Sequence, residues 1–237
     1  MLPSFSAALT TQRILAPAAK LDDVKSQPAD DATRAVPVEF AGPGNLVLRG
    51  QRSGVDGRWV VLVHGVGRDL DGWGSLATWL ASHGLTVLAF DLPGHGASDD
   101  PWYPQNAVAS VAAAVDFARS EGSRHVHIVG EGVGALAALG VTASGLGDIA
   151  SVTALSPQAD DRVARVGDIR EARVPKLIVV GSLSRTHAEF AEAVFRSAIG
   201  PCEMARFPIA AQGTDLLYGE WGSQVREKLL AHLVRQG

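Results

Sequence analysis

Five continuous apolar runs, separated by helix-like segments, constrain the fold of this chain more than any other feature of its sequence. The runs occupy residues 59–63, 86–90, 126–129, 152–155 and 177–180. A run that is apolar at every position, rather than at alternate ones, is typical of a strand buried on both faces. Buried strands that alternate with helices predict an α/β fold, in which a mostly parallel sheet carries helices on both faces.

The segments around these runs complete one domain. Helix-like patterns occur at residues 73–82, 108–119, 135–143 and 188–197. Further strands are predicted at 38–40, 46–49 and 203–207, and a last helix at 222–235. A chain of 237 residues can build one sizeable core, so we expect a single domain over residues 37–237. Residues 1–36 are rich in Ala, Pro, Asp, Ser and Thr, which predicts a flexible arm with one short helix around residues 7–15.

Charge and composition exclude several classes of function. The net charge is −4 and the chain has no Lys/Arg cluster, which argues against nucleic acid or an anionic membrane as the main partner. No apolar run approaches the roughly 18 residues that span a bilayer. The first residues lack a basic start before an apolar core, so no secretory signal is predicted. The single cysteine, Cys202, fits a reducing compartment, and we expect a cytoplasmic protein without metal or cofactor.

Three turns at the ends of predicted strands are the places to look for chemistry. In an open α/β sheet, ligands bind beyond the carboxyl ends of the strands. The third strand is followed by HGVGRDLDGW (residues 64–73), and the fourth by DLPGHGAS (residues 91–98). The fifth strand leads into GEGVG (residues 130–134), a glycine-dense turn that opens an alanine-rich helix. The sequence therefore predicts that these three turns together line a site.

The order of LVHGVGRDLDGW, FDLPGHGAS and VGEGVGALAAL along the chain resembles the α/β-hydrolase superfamily. In that family the HG turn supplies one oxyanion-hole amide, and the second loop flanks the pocket. The elbow, written G-x-nucleophile-x-G, supplies the nucleophile and a second amide. The resemblance runs from about Val38 to the C-terminus. Residues 157–175 are too few for the separate lid domain that many members carry, so the resemblance implies a compact, lidless member.

All three catalytic positions that the resemblance implies carry other residues. The nucleophile position is Gly132, the acid position is Ser184, and the base position is Gln212 within PIAAQGTDLL. Glycine has no attacking atom, and glutamine does not titrate near neutral pH. Serine has no charge with which to orient an imidazolium. The resemblance therefore implies a catalytically inactive member with no intact triad.

The binding half of the family's machinery is expected to remain. Gly65, Val66 and Val133 are candidates to offer backbone N–H groups to a bound anion or carbonyl oxygen. His64 and Glu131 are further candidate ligand contacts at the rim of this pocket. Two alternatives stay open: His64 bonds neighbouring loop backbone instead, and the Glu131 side chain points away from the reacting centre. In a third alternative, the glycines only permit a strained turn left after function was lost.

Two main functions follow. The first is an inactive hydrolase-fold protein that binds a small molecule or a protein partner, including a structural role beside active relatives. The alternative is a weak, atypical esterase-like hydrolase that uses the oxyanion pocket and His64. A third reading uses Gly130, Gly132 and Ala135 as a dinucleotide-binding fingerprint. Its position on the fifth strand disfavours it, and so does the charge of Glu131 beside a pyrophosphate.

The resemblance also implies a geometry that coordinates can test. Gly132 should lie at the tip of a tight strand-to-helix turn with positive φ, because elbow nucleophile positions are strained and glycine tolerates that region. Gln212 should lie across the pocket from Gly132, with Ser184 behind it.

Overall fold

The computed structural model describes residues 33–55, 57–145 and 149–236. Most of the predicted arm, and the short helix predicted at residues 7–15, lie outside the described residues. The first strand begins at Val36, one residue before the boundary that the sequence predicts.

The centre of the domain is an eight-stranded sheet. Its strands are β1 (Val36–Ala41), β2 (Val47–Ser53), β3 (Arg58–Val63), β4 (Leu85–Phe90), β5 (Val126–Glu131), β6 (Ile149–Leu155), β7 (Lys176–Gly181) and β8 (Cys202–Phe207). Their order across the sheet is β1-β2-β4-β3-β5-β6-β7-β8. β2 pairs antiparallel with β1 and with β4, and all other neighbours pair in parallel. The predicted mostly parallel sheet is confirmed.

Helices cover both faces of this sheet, as predicted. They are α1 (Leu76–Ser82), α2 (Ala107–Ser120), α3 (Gly132–Ala143), α4 (Val166–Ile169), α5 (Arg185–Ser197) and α6 (Gly222–Arg235). Buried residues of α2 to α5 form one apolar core with the sheet, and buried residues of α1 and α6 form a second core. Within the described residues, none of these helices has the length and apolar character needed to span a bilayer.

Strand β3 shows why the predicted strands are apolar at every position. Val61 and Val63 belong to the core beneath α2 and α3, whereas Val60 and Leu62 belong to the core beneath α1 and α6. Alternate side chains of a strand point to opposite faces, so a strand between two helical layers needs apolar residues at both.

The differences from the predicted elements lie near glycines and in one connection. The helix predicted from residue 73 begins at Leu76, because residues Leu70–Trp73 form a 3-10 turn and Gly74 then takes a φ of +51°. The connection between β6 and β7 contains only the four-residue helix α4, which the sequence did not predict. No lid domain occupies this connection, whose residues the structure describes throughout.

Candidate functional site

At the elbow, strand β5 leads directly into helix α3 with no loop between them. β5 ends at Glu131 and α3 begins at Gly132, whose φ is +54°. This is the left-handed region that glycine enters at little cost. In the first turn of α3, a Cβ on Gly134 would clash with the carbonyl oxygens of Val63 and His64. Glycine at this position therefore lets the helix pack directly against β3 and carries Gly132 to the end of the sheet.

The space above Gly132 is open. A Cβ built on Gly132 would lie 3.8 Å from Oε1 of Gln158 and 3.9 Å from the Cα of Gly65. The backbone N–H of Gln158 also donates to the Gly132 carbonyl, at 3.1 Å. The segment after β6 is thus tied to the elbow, and its side-chain amide lies beside the nucleophile position. No sequence motif points to Gln158, because its position beside Gly132 depends on how β6 and β5 pair.

A cavity of about 170 Å³ lies at this end of the sheet. Its lining residues are Gly65, Val66, Arg68, Glu131, Gly132, Ser156, Gln158, His187, Gln212 and Gly213. The cavity brings together Gly132 and Gln212, two of the three positions that the resemblance assigns to the triad. The third position, Ser184, is not among the lining residues. Its hydroxyl lies 3.1 Å from Nδ1 of His187, and His187 does line the cavity.

His187 is the functional candidate that sequence reasoning missed. It lies in the first turn of α5, three residues after Ser184. Burial lowers the pKa of its imidazole, so the ring is neutral at physiological pH. Residues three apart at the start of a helix are neighbours in space. The spacing in SRTH (residues 184–187) could therefore have indicated that His187 lies next to Ser184.

Glu131 braces two loops. One carboxylate oxygen accepts the N–H of Gly65 at 3.1 Å, and the other accepts the N–H of Thr214 at 2.8 Å. The carboxylate therefore joins the HG turn after β3 to the loop after β8. Glu131 also lines the cavity, so its role as a ligand contact stays a prediction. One correction follows: the N–H of Gly65, predicted to face a ligand, is donated to this carboxylate instead.

His64 is a brace as well, and the predictions of a ligand contact and of a base are wrong. The side chain is fully buried and is not among the residues that line the cavity. Its Nε2 accepts the N–H of Leu92 at 2.9 Å, so Nδ1 carries the proton and donates to the Gly65 carbonyl at 2.8 Å. Burial also lowers the pKa of His64. Neither ring nitrogen is free. The structure therefore agrees with the alternative in which His64 bonds neighbouring loop backbone.

The loop after β4 is held by Asp91 in the same way. Its carboxylate accepts the N–H of Leu70 at 2.7 Å and the N–H of Ala97 at 2.8 Å. A Cβ on Gly96, whose φ is +51°, would clash with this carboxylate. The geometry of this loop therefore depends on a buried acid packed against a glycine.

Two backbone amides remain as candidates to bind a ligand. Val66 lines the cavity, and no group in the described part of the chain accepts its N–H. Val133 is the second residue of α3, where a helix N–H lacks an intrahelical acceptor, although Val133 is not among the lining residues. The arrangement can hold a carbonyl oxygen or a similar acceptor near Gly132.

A parallel sheet of this order, with a glycine-rich elbow after β5 and an HG turn after β3, defines the hydrolase-fold class of α/β proteins. The chain belongs to the alpha/beta hydrolase family, whose family model matches residues 60–233. This finding confirms the resemblance that the three sequence motifs carry.

Among known proteins, the chain is similar to the dihydrolipoyllysine-residue acetyltransferase component of the acetoin cleaving system from Cupriavidus necator. The two are 34% identical over 155 residues, which is 61% of this chain and 41% of that protein. The matched region thus spans less than half the length of this relative.

Solved structures show the same fold at low identity. An esterase from Pyrococcus furiosus superposes with a TM-score of 0.71 at 18% identity, covering 90% of this chain and 95% of the esterase. The α/β-hydrolase GrgF from Penicillium sp. sh18 gives a TM-score of 0.72 at 15% identity, covering 86% and 99%. At these identities the likeness concerns the fold.

Proposed function

We propose that this chain is a catalytically inactive member of the alpha/beta hydrolase family that binds a small molecule in the cavity above Gly132. The observation that carries the proposal is the elbow itself. Its backbone has the strained turn on which a nucleophile would stand, and the residue there has no side chain. Covalent acyl transfer needs an attacking atom at this point.

The hydrogen-bonded loops around the cavity favour ligand binding over a purely structural role, in which side chains would fill the cavity. Glu131, His64 and Asp91 are buried and hydrogen-bonded to loop backbone, so the walls of the cavity are held in place. The cavity has not been plugged by a large side chain at Gly132 or elsewhere in its lining. Binding of a partner protein to the surface would not require such a cavity. The single cysteine, Cys202, supports a reducing compartment such as the cytoplasm for this function.

A second candidate function is weak hydrolysis with His187 as the base, in place of His64. The observation in its favour is that the His187 imidazole lines the cavity and is paired with Ser184. A neutral imidazole can take a proton from a water molecule held near Gly132. This reaction would proceed without a covalent intermediate.

Assays of the purified chain separate these two functions. On an activated ester, we expect no turnover above background and no labelling by serine-directed probes, because the elbow has no nucleophile. The matched variant is His187→Asn, which removes the candidate base. Turnover in the native chain that is lost in His187→Asn would replace the proposal with the hydrolase reading.

Binding is tested by native mass spectrometry of the purified chain for co-purified small molecules. Gln158→Trp should empty the cavity of any such molecule, because the indole would occupy the space beside Gly132. Gln224→Trp, on the exposed side of α6, is the control and should retain the molecule. A molecule retained equally in both variants would show that it binds elsewhere.

A further inference from the structure

On the face of the sheet that α1 and α6 cover, one arginine has no carboxylate partner. Arg226 lies on α6 and is partly buried. Among the described residues, no Asp or Glu forms an ion pair with its guanidinium, and no group accepts a hydrogen bond from it. By contrast, Arg119 on α2 pairs with Asp116, and Arg196 on α5 pairs with Glu192.

The sequence of α6 explains why Arg226 is unpaired. Side chains three or four residues apart are neighbours on a helix. None of the four positions that neighbour Arg226 in this way is acidic; they are Gly222, Ser223, Leu229 and Leu230. The one acidic residue of α6, Glu227, is adjacent in sequence, and side chains one residue apart on a helix do not face each other.

Two aromatic rings lie against the guanidinium instead. Its Cζ atom lies 5.7 Å from the centroid of the Trp79 ring on α1, and 6.0 Å from the centroid of the Tyr218 ring, which precedes α6. Both distances are typical of a cation–π interaction. This interaction does not consume an N–H group, so the fork of donors on Arg226 stays available for an acceptor.

The two rings are themselves held in position. The Tyr218 hydroxyl donates to the Trp73 carbonyl. A Cβ on Gly74 would lie 2.7 Å from this hydroxyl, so the close approach of the tyrosine requires glycine there. The Trp79 ring packs against the ring of His83, with 4.4 Å between their centroids. Arg226 is thus oriented before any ligand binds, which lowers the entropy cost of binding.

The residue types and their exposure suit a protein partner. Tyr218 is 37% exposed, and Trp79 and Arg226 are partly exposed. Tryptophan, tyrosine and arginine are the residues that most often dominate the affinity of protein interfaces. We call these three side chains the Trp–Arg–Tyr surface. None of them lines the cavity above Gly132, so this surface is separate from the site described above.

The free charge of Arg226 selects the chemistry of the partner. An arginine fork binds a carboxylate through two parallel N–H···O bonds. A single exposed ion pair contributes little affinity, so a small anion would bind weakly. A peptide gains more, because it also buries apolar area against the two rings. Nucleic acid is disfavoured, since the chain carries a net charge of −4.

We propose that the Trp–Arg–Tyr surface binds an acidic segment of a partner protein. A carboxylate of that segment accepts two N–H groups of Arg226, and a neighbouring apolar side chain packs against the exposed part of the Tyr218 ring. This interaction goes beyond the proposed function and does not depend on whether the cavity above Gly132 holds a ligand.

Two synthetic peptides of equal size test the proposal, acetyl-Asp-Phe-Asp-amide and acetyl-Asn-Phe-Asn-amide. Each is titrated into the full chain and followed by the indole N–H signal of Trp79 and the amide signal of Tyr218. The acidic peptide should shift both signals and bind about fivefold more tightly than the neutral one, as expected for one favourable exposed ion pair. Equal binding of the two peptides, or no binding of either, would overturn the proposal.

Arg226→Gln is the key variant, and Arg185→Gln is its matched control. Arg226→Gln should lower the preference for the acidic peptide to about onefold, because the ion pair is lost. Arg226→Lys keeps the charge without the fork, so its preference should be intermediate. Arg185 lies on α5 with its side chain 90% exposed, and Arg185→Gln should keep the native preference. A lower melting temperature in Arg226→Gln with an unchanged preference would show a purely structural role and overturn the proposal.

Two other occupants of this surface have their own outcomes in the same measurement. Residues 1–32 contain four aspartates, which are Asp22, Asp23, Asp30 and Asp31. If their joint replacement by asparagine shifts the Trp79 and Tyr218 signals in the absence of peptide, the chain itself covers the surface and the partner is overturned. Signals that move with protein concentration would show a second copy of the chain there, which overturns the partner as well.

Discussion

Buried polar side chains occur at both ends of the parallel sheet, and the two ends satisfy them differently. At the carboxyl end, Glu131, Asp91 and His64 direct their polar atoms to the backbone of the surrounding loops. Toward the amino end, His127 and His232 are equally buried, yet Nε2 of each has no partner among the described residues. These three side chains at the carboxyl end therefore hold loops, whereas each of the two histidines toward the amino end leaves one nitrogen unpaired, at a cost in stability.

The two ends differ in their hydrogen bonding because different segments of backbone must be held in place there. The turns after β3, β4 and β8 run without sheet partners, so their buried N–H groups need other acceptors, and side chains supply them. Lys176 is a comparable brace at the amino end, because its ammonium donates to the carbonyls of Val174 and Ile199 and so joins two connections. The side-chain hydrogen bonds of Glu131 and His64 thus hold the loops that shape the cavity.

The largest effect should come from breaking the brace at the carboxyl end. Glu131→Ala leaves the buried N–H groups of Gly65 and Thr214 without an acceptor. Each unsatisfied buried donor costs about 1–3 kcal/mol, so the two together cost about 2–6 kcal/mol. We expect the free energy of unfolding, measured in urea, to fall by that amount.

The control for this variant is Glu189→Ala, whose side chain is 74% exposed on α5. It should change the free energy of unfolding by less than about 0.5 kcal/mol. Equal losses in the two variants would show that Glu131 does not brace the loops and that the two ends of the sheet are alike.

The amino end should make the fold sensitive to acid. Burial, with smaller repulsions from His232, Arg58 and His125, lowers the pKa of His127 to about 4. The unfolded chain takes up this proton near pH 6.5 and the folded chain only near pH 4, so stability falls as the pH drops through that window and levels off below it. Each pKa unit corresponds to about 1.4 kcal/mol, so a shift from 6.5 to about 4 lets His127 contribute at most about 3.5 kcal/mol to the loss.

Urea unfolding from pH 7.5 to pH 4 measures this effect. His127→Gln should flatten the decline in part, since His232, with a pKa lowered to about 4, and His64 continue to contribute. His125→Gln, at an exposed position on the same segment, should change the slope far less, because His125 adds only a small repulsion to the burial that lowers the pKa of His127. An unaltered slope in His127→Gln would remove the contrast between the two ends.

The smallest change in the free energy of unfolding should come from placing a side chain on Gly132 at the elbow. Gly132→Ser places a side chain at positive φ, which costs about 1–2 kcal/mol. The nearest atoms lie 3.8 Å from its Cβ, so no clash adds to this cost. We expect a folded variant without esterase activity, because the base and acid positions remain Gln212 and Ser184.

Gly132→Ala is the matched control, with the same backbone cost and no hydroxyl. The two variants should unfold at the same urea concentration and should both be inactive on an activated ester. Clear turnover in Gly132→Ser alone would show that a working base, such as His187, already lies next to the elbow.

The sequence predicted the fold and several positions of the site, because these depend on local patterns. Continuous apolar runs led to the sheet, and the motif order led to Gly132 and Gln212, which line one cavity. It did not predict that Ser156 and Gln158 line the same cavity. Their position there depends on the turn after β6 lying next to the elbow after β5, which follows from strand order rather than from any local motif.

The absence of a nucleophile at the elbow is determined by the sequence alone, since glycine has no reactive atom in any environment. The role of His64 was decided only by the tertiary structure. An imidazole can be a base, a ligand contact or a brace, and its hydrogen-bond partners choose among these. The partner of its Nε2 is Leu92, 28 residues away on another loop, and only folding brings the two together.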